Sequence, residues 1–193
     1  MSEHPFSVAL ALLLGLLLVT AVTDWRRGMI YNWTVYPGIL LALGANALAD
    51  FASCPDALRV RLGLIGLEDS CWGFMSCGGV MLICYVFFPG GVGGGDIKLI
   101  AMIGAFMGLQ DGITAMLWTF VLGACLALIL LVWKYGLWNL LSRVGQTLLL
   151  VVRLRTAPSL HEEQREPLKT NLPLAISAVA AVLIVRFDLI GWF

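Results

Sequence analysis

Charged residues are scarce in this sequence, since only 12% of its 193 residues are Asp, Glu, Lys or Arg while 60% are hydrophobic. An ordinary soluble domain is about 25% charged and about 45–50% apolar. Twelve basic and twelve acidic side chains cancel to a formal net charge of zero, so neither a nucleic-acid binder nor an acidic disordered chain is indicated. A soluble protein this apolar would expose large hydrophobic patches and aggregate. The composition predicts an integral membrane protein that has the lipid bilayer as its surroundings and no nucleic-acid partner.

Histidine and metal-ligand patterns are also lacking. The two histidines, His4 and His161, fall outside the long apolar runs, so a Ser–His intramembrane protease would have no base. His161 opens a segment similar to a zinc-protease motif, but Arg165 stands where the second histidine is required. The five cysteines contain no Cys-x-x-Cys pair, which excludes a zinc ribbon. The sequence therefore predicts no metal site and no cofactor.

Uncharged runs divide the chain into candidate transmembrane helices, each of which needs about 20 apolar residues. They predict an all-α polytopic membrane bundle, a single integral-membrane domain over residues 1–193 with about six spans. These spans are residues 6–23, 33–49, 72–88, 97–109, 113–133 and 172–192. Residues 136–155 mix Leu and Val with three arginines, which predicts a helix lying at the interface, with a seventh span as the alternative.

Basic residues in the connecting segments predict the orientation of these spans. With the N-terminus outside, nine lysines and arginines fall on the cytoplasmic side and two or three on the opposite side. This orientation places Asp24 and Asp96 at the cytoplasmic ends of their helices. It also places Cys54 and Cys71 in one outer loop, where they either form a disulfide or remain two unpaired small residues.

Asp24 and Asp96 are the candidate chemical groups. A carboxylate at the end of a span is either an interfacial charge beside a basic neighbour or a functional group at membrane depth. For Asp96, the 13-residue span 97–109 would reach only about 20 Å of the roughly 30 Å hydrocarbon core. We therefore expect Asp96 to lie below the cytoplasmic surface, behind glycines that form non-helical backbone beside a wet or protein-covered cavity.

Two nearby carboxylates are sufficient for peptide hydrolysis of the aspartic-protease type. Close carboxyl groups share one proton because they cannot both ionise. The ionised member takes a proton from the attacking water, and the protonated member supplies one to the carbonyl oxygen or the leaving amine. This chemistry needs no metal and no histidine.

Two motifs surround the aspartates, Gly93-x-Gly95-Asp96-x-Lys98 and Asp24-x-Arg26-x-x-x-Ile30-x-Asn32. The first resembles the GxGD signature of the type IV prepilin peptidases, a family of intramembrane aspartic proteases, and the second resembles the first-aspartate motif of the same family. The helix after Asp96 is similar as well, and the resemblance extends to about Trp133. The resemblance implies an aspartic endopeptidase of the bacterial inner membrane, whose catalytic pair is Asp24 and Asp96 at the cytoplasmic face.

The implied substrates are prepilins or pseudopilins for type IV or Flp pilus or secretion-system assembly. Such precursors carry a short basic leader that is cut just ahead of a hydrophobic helix. The bifunctional members of the family have a cytoplasmic domain with paired cysteines, and this chain has neither the paired cysteines nor the length. We therefore expect a compact peptidase without methyltransferase activity.

The resemblance also names supporting residues, which are Gly93, Gly95, Lys98, Arg26 and Asn32. Arg26 and Lys98 either orient the site, contact headgroups or substrate, or only set the topology. Asn32 either forms a hydrogen bond near Asp24 or caps the second span. Tyr31 stands where the family often has Pro, a departure that bears on the turn after Asp24.

Two other readings of the sequence remain. In one, the chain is a non-catalytic polytopic assembly or transport protein whose aspartates serve topology or ion contact. In the other, it is a GxGD protease of the presenilin or signal-peptide-peptidase kind. In those proteases the first aspartate follows a Tyr inside a span, whereas Thr23 precedes Asp24 at the edge of a span here.

Overall fold

The computed structural model describes residues 7–87, 93–135 and 174–189, and the regular elements in those ranges are all α-helices. The all-α fold class predicted from the sequence is confirmed. The helices are α1 (Val8–Arg27), α2 (Asn32–Phe51), α3 (Asp56–Leu62), α4 (Leu67–Phe87), α5 (Gly94–Tyr135) and α6 (Leu174–Arg186). The helix predicted at the interface over residues 136–155 lies outside the described residues.

Four helical stretches within the described ranges are long and apolar enough to cross a membrane. They are Val8–Arg27, Asn32–Phe51, Asp56–Phe87 and Gly94–Trp133, and Leu174–Arg186 is a shorter apolar helix. The protein is therefore a multi-pass membrane protein. The stretch Asp56–Phe87 includes the short helix α3. The sequence predicts an outer loop at this position.

Backbone contacts divide the chain into two units. The first, Met1–Leu122 with Pro173–Phe193, contains α1 to α4, the beginning of α5, and α6. The second, Gly123–Leu172, contains the end of α5. Both aspartates singled out by the sequence belong to the first unit.

The two ends of α1 are fixed by local hydrogen bonds. At its start, the Ser7 hydroxyl accepts a hydrogen bond from Leu10 N–H at 3.3 Å, which satisfies one of the donors left free in a first turn. At its end, Gly28 adopts a left-handed φ of 60° and donates its N–H to the Asp24 carbonyl at 2.8 Å. Glycine takes this conformation without steric cost, so the chain reverses directly after the first aspartate.

Small residues allow the helices to approach closely. In α6 the buried side chains are Ala175, Ser177, Ala178, Ala181 and Val182, and this face packs against α1. A Cβ at Gly73 of α4 would overlap the backbone oxygen of Gly104 in α5, and the reverse also holds. Such contacts matter in a bilayer, where association depends on close packing because lipid tails are as apolar as leucine side chains.

The helix α5 is broken at Gly108, which has φ 83° and ψ −170°. The sequence predicts two spans here, 97–109 and 113–133, and the break falls at the end of the first. Asp69 of α4 accepts a hydrogen bond from Leu109 N–H at 3.1 Å, so a carboxylate caps the helical segment that follows the break. The segment before the break, residues 94–107, is close in length to the short span predicted over residues 97–109.

Hydrogen bonds also connect α2 to the segment between it and α4. Asn46, which is only 4% exposed, accepts hydrogen bonds from Ile65 N–H at 3.0 Å and Gly66 N–H at 3.1 Å. Arg59 forms a 2.8 Å salt bridge with Asp50. All five cysteines are free, so of the two alternatives for Cys54 and Cys71 the structure shows the unpaired one.

Candidate active site

Asp24 lies in the last turn of α1 and is 9% exposed. One of its carboxylate oxygens accepts a hydrogen bond from Ala175 N–H at 3.3 Å. Ala175 is the second residue of α6, where backbone donors have no partner within the helix. The positive end of the α6 dipole therefore faces this carboxylate.

Asp96 lies in the first turn of α5 and is partly buried. Its carboxylate accepts a hydrogen bond from Gly93 N–H at 3.1 Å, which is one half of a capping box. This cap starts the helix at Gly94, so Gly94 and Gly95 are helical. The expectation that the glycines form non-helical backbone is therefore wrong for these two residues, and Gly90 and Gly91 lie outside the described residues.

The structure places Asp24 and Asp96 at neighbouring helix ends, because Gly95 lies against Ile30 and Lys98 donates a hydrogen bond to Asn32. One residue comes from the end of α1 and the other from the start of α5, so the two lie at the same end of the bundle. Each has one backbone N–H donor, and each retains oxygens that can hold a water molecule or a peptide group. Chemically, this is an arrangement that can share a single proton.

Two of the glycines before Asp96, Gly93 and Gly95, lie too close to neighbouring groups to carry a side chain. A Cβ at Gly95 would lie 2.8 Å from the Cβ of Ile30, in the loop between α1 and α2. A Cβ at Gly93 would lie 2.9 Å from the Asp96 carboxylate. A side chain at either position would push away one of the groups that define the site.

Lys98 and Asn32 connect α5 to the start of α2. The Lys98 amine donates a hydrogen bond to the Asn32 side-chain oxygen at 2.9 Å, and it lies 5.0 Å from the centre of the Tyr36 ring. Neither role expected for Asn32 is observed. The N-cap of α2 is Tyr31, and the lysine takes the amide oxygen because a charged donor forms the stronger bond.

Arg26 is exposed and has no hydrogen bond or salt bridge with any described residue. Its neighbour Arg27 donates a hydrogen bond to the Tyr31 hydroxyl at 2.8 Å. This hydrogen bond spans the turn after Asp24. Tyr31, which stands at the position where the family often has Pro, accepts it. Sequence reasoning missed this pair, although the four-residue spacing of the two side chains is a usable signal.

Within the described ranges, no group of three or more His, Cys, Asp or Glu side chains is arranged to hold a metal ion.

A comparison with protein families gives one match. The model of the type IV leader peptidase family matches residues 11–128, a range that includes both aspartates and all five supporting residues. The chain belongs to the type IV leader peptidase family. No match was found among curated proteins or among solved structures. This leader peptidase is accordingly a hydrolase that acts on a peptide substrate from within the membrane. Its helix α6 lies beyond the matched range, yet α6 supplies the N–H that holds Asp24.

Proposed function

We propose that this peptidase removes the basic leader from prepilin or pseudopilin precursors, with Asp24 and Asp96 as its catalytic pair. The observation that supports this proposal is that the end of α1, which holds Asp24, and the start of α5, which holds Asp96, are joined by the contact of Gly95 with Ile30 and the hydrogen bond of Lys98 to Asn32.

In the proposed reaction the pair holds one proton and one water molecule. The ionised carboxylate accepts a proton from the water as its oxygen attacks the scissile carbonyl carbon. The protonated partner donates its proton to the carbonyl oxygen, and the tetrahedral intermediate forms. Collapse of the intermediate breaks the C–N bond. The leaving amine takes up the proton that the first carboxyl group holds, and a hydroxyl of the intermediate returns its proton to the second carboxylate, which restores a pair with one proton. The backbone donors at Gly93 and Ala175 keep both carboxylates oriented throughout.

The membrane positions such a substrate. The hydrophobic helix of a precursor packs in the bilayer, while its basic leader remains at the aqueous surface beside the aspartates. The distribution of basic residues supports the proposal that this surface is the cytoplasmic one, and membership of the family supports the proposal that the membrane is the inner membrane of a bacterium. We further propose that the new N-terminus leaves without methylation.

The test is co-expression of a candidate prepilin with the wild-type peptidase and with Asp24→Asn, Asp96→Asn and Asp56→Asn. Asp56 is exposed and belongs to α3, so its variant is a matched control for the loss of one carboxylate. We expect leader cleavage to fall roughly 10²–10⁴-fold in the first two variants and to remain unchanged in the third. Cleavage that survives in either of the first two variants would refute the catalytic pair.

Two further measurements complete this test. Mass spectrometry of the mature pilin identifies the new N-terminus, which we expect to be unmethylated. If the wild-type protein cuts no prepilin while remaining folded, the assembly or transport function becomes the better reading.

A further inference from the structure

A cavity of about 450 Å³ lies at the end of the helices opposite the two aspartates. Its walls include Ser7 at the start of α1 and Arg186 in the last turn of α6. Asp24 is 17 residues along α1 from Ser7, which corresponds to about 25 Å of helix. The cavity is therefore separate from the candidate active site.

The cavity contains charges of both signs. Arg59, Arg186 and Asp111 line it. The guanidinium of Arg59 is already held by Asp50 and by the carbonyl oxygens of Ala49 and Cys54. Arg186 and Asp111 attract each other, but no hydrogen bond or salt bridge joins Arg186 to any described residue. Two opposite charges that line one cavity without forming a salt bridge can each contact an opposite charge of a ligand.

An apolar groove of about 390 Å³ adjoins this cavity. The two share the lining residues Ala9, Gly63, Leu64 and Phe106. The groove runs between α1 and α2, along the exposed leucines Leu12, Leu41 and Leu48. It is thus open to lipid along its side and leads directly to the charged cavity.

We infer that the cavity and the groove together bind one zwitterionic, amine-bearing phospholipid. Its phosphate lies against the Arg186 guanidinium, its ammonium group lies against the Asp111 carboxylate, and one acyl chain occupies the groove. A headgroup with phosphate and ammonium complements both charges, whereas a purely anionic headgroup would leave Asp111 facing like charge. The attached groove favours a phospholipid over a soluble zwitterion, because a soluble molecule gains nothing from an apolar channel.

The experiment is native mass spectrometry of the purified full-length protein, which reports lipid binding independently of leader cleavage. The probes are phosphatidylethanolamine and phosphatidylglycerol with identical acyl chains, each titrated at the same concentrations. We expect phosphatidylethanolamine to be retained preferentially, and soluble glycerophosphoethanolamine in excess to leave it bound. Equal retention of the two lipids, or displacement by the soluble headgroup, would overturn the proposal.

Matched variants locate the binding site. Arg186→Gln and Asp111→Asn should each bind phosphatidylethanolamine about tenfold more weakly, the loss expected for one charge-assisted contact. Arg61→Gln and Asp56→Asn remove the same charges from exposed residues outside the cavity and should bind as the wild type does. Binding by Arg186→Gln equal to that of Arg61→Gln would overturn the inference. If Arg186→Gln does not fold, Arg186→Lys is used because it keeps the charge. The site is then tested by comparing the binding of phosphatidylethanolamine by Asp111→Asn and Asp56→Asn.

The groove is tested by filling it. Ala45 is an exposed residue that lines the groove, so Ala45→Phe should lower the retention of phosphatidylethanolamine. Leu40→Phe adds aromatic bulk to the same helix at a residue that is 71% exposed and does not line the groove, and it should leave retention unchanged. The same retention in both variants would exclude the groove as the acyl-chain site.

Discussion

Gly95 lies so close to Ile30 that a Cβ added to Gly95 would be 2.8 Å from the Ile30 Cβ. The first turn of α5 therefore rests directly on the loop between α1 and α2. Because this loop follows Asp24 and this turn contains Asp96, a side chain at Gly95 would move one of these aspartates relative to the other. Gly94, by comparison, faces open space, with no atom within 4 Å of an added Cβ.

Replacement of Gly95 by alanine should therefore impair the peptidase, although alanine is the better helix former. We expect Gly95→Ala to reduce leader cleavage about 10–100-fold, since small displacements of reacting groups have effects of this size. Gly94→Ala is the matched control. It should keep full activity and gain about 0.5–1 kcal/mol of helix stability. The double variant Ile30→Ala, Gly95→Ala should recover activity, and equal cleavage by the Gly94 and Gly95 variants would contradict the argument.

The hydrogen bond between Lys98 and Asn32 gives a second prediction, which a double-mutant cycle measures. Lys98→Met, Asn32→Ala and the double variant are compared for free energy of unfolding in detergent micelles. We expect a coupling energy of about 0.5–1 kcal/mol, because the residues touch but Asn32 is exposed. A parallel cycle with Lys98→Met and Asp56→Asn should show no coupling. A zero value in the first cycle would mean that the bond does not hold α5 to α2.

The position of Asp24 and Asp96 at one end of the bundle follows from the sequence, because the uncharged runs and the loop charges determine which helix ends meet. Sequence reasoning could not find Ala175 as a partner of Asp24. The donor is a backbone N–H, which every residue except proline carries, and it lies 151 residues away in the chain. Only the packing of α6 on α1 selects it.

Side-chain competition explains the other differences. The sequence predicts that Asn32 either forms a hydrogen bond near Asp24 or caps α2. It contains no signal that the side-chain oxygen of Asn32 would instead accept a hydrogen bond from a lysine 66 residues away. The break in α5 illustrates the same limit. Gly108 is one of 21 glycines, and nothing in the sequence marks it as the one with a left-handed conformation. That conformation is explained only by the packing of α4, which places Asp69 against the N–H of Leu109.

Asp69 gives a third prediction. Its carboxylate accepts the Leu109 N–H at the break in α5, so Asp69→Ala should lower the free energy of unfolding by about 0.5–2 kcal/mol, as for other N-cap residues. Asp69→Asn keeps an acceptor oxygen and should restore most of that loss. Glu68→Ala, which removes an exposed neighbouring carboxylate, is the control in thermal unfolding. Equal melting temperatures for the Asp69→Ala and Glu68→Ala variants would show that the cap is dispensable.

The buried amide of Asn46 gives the last prediction. Its oxygen accepts two backbone N–H groups, from Ile65 and Gly66, so Asn46→Ala would leave both donors without this acceptor. We expect a loss of about 1–3 kcal/mol in the free energy of unfolding, the cost of unsatisfied donors away from water. Gln110→Ala removes an exposed amide of similar size and should change stability by less than about 0.5 kcal/mol. Leader cleavage measured below the melting temperature should persist in both variants, because Asn46 lies near the end of α2 remote from Asp24 and Asp96. A stability loss in Asn46→Ala no larger than that in Gln110→Ala would show that water or other groups satisfy the two donors.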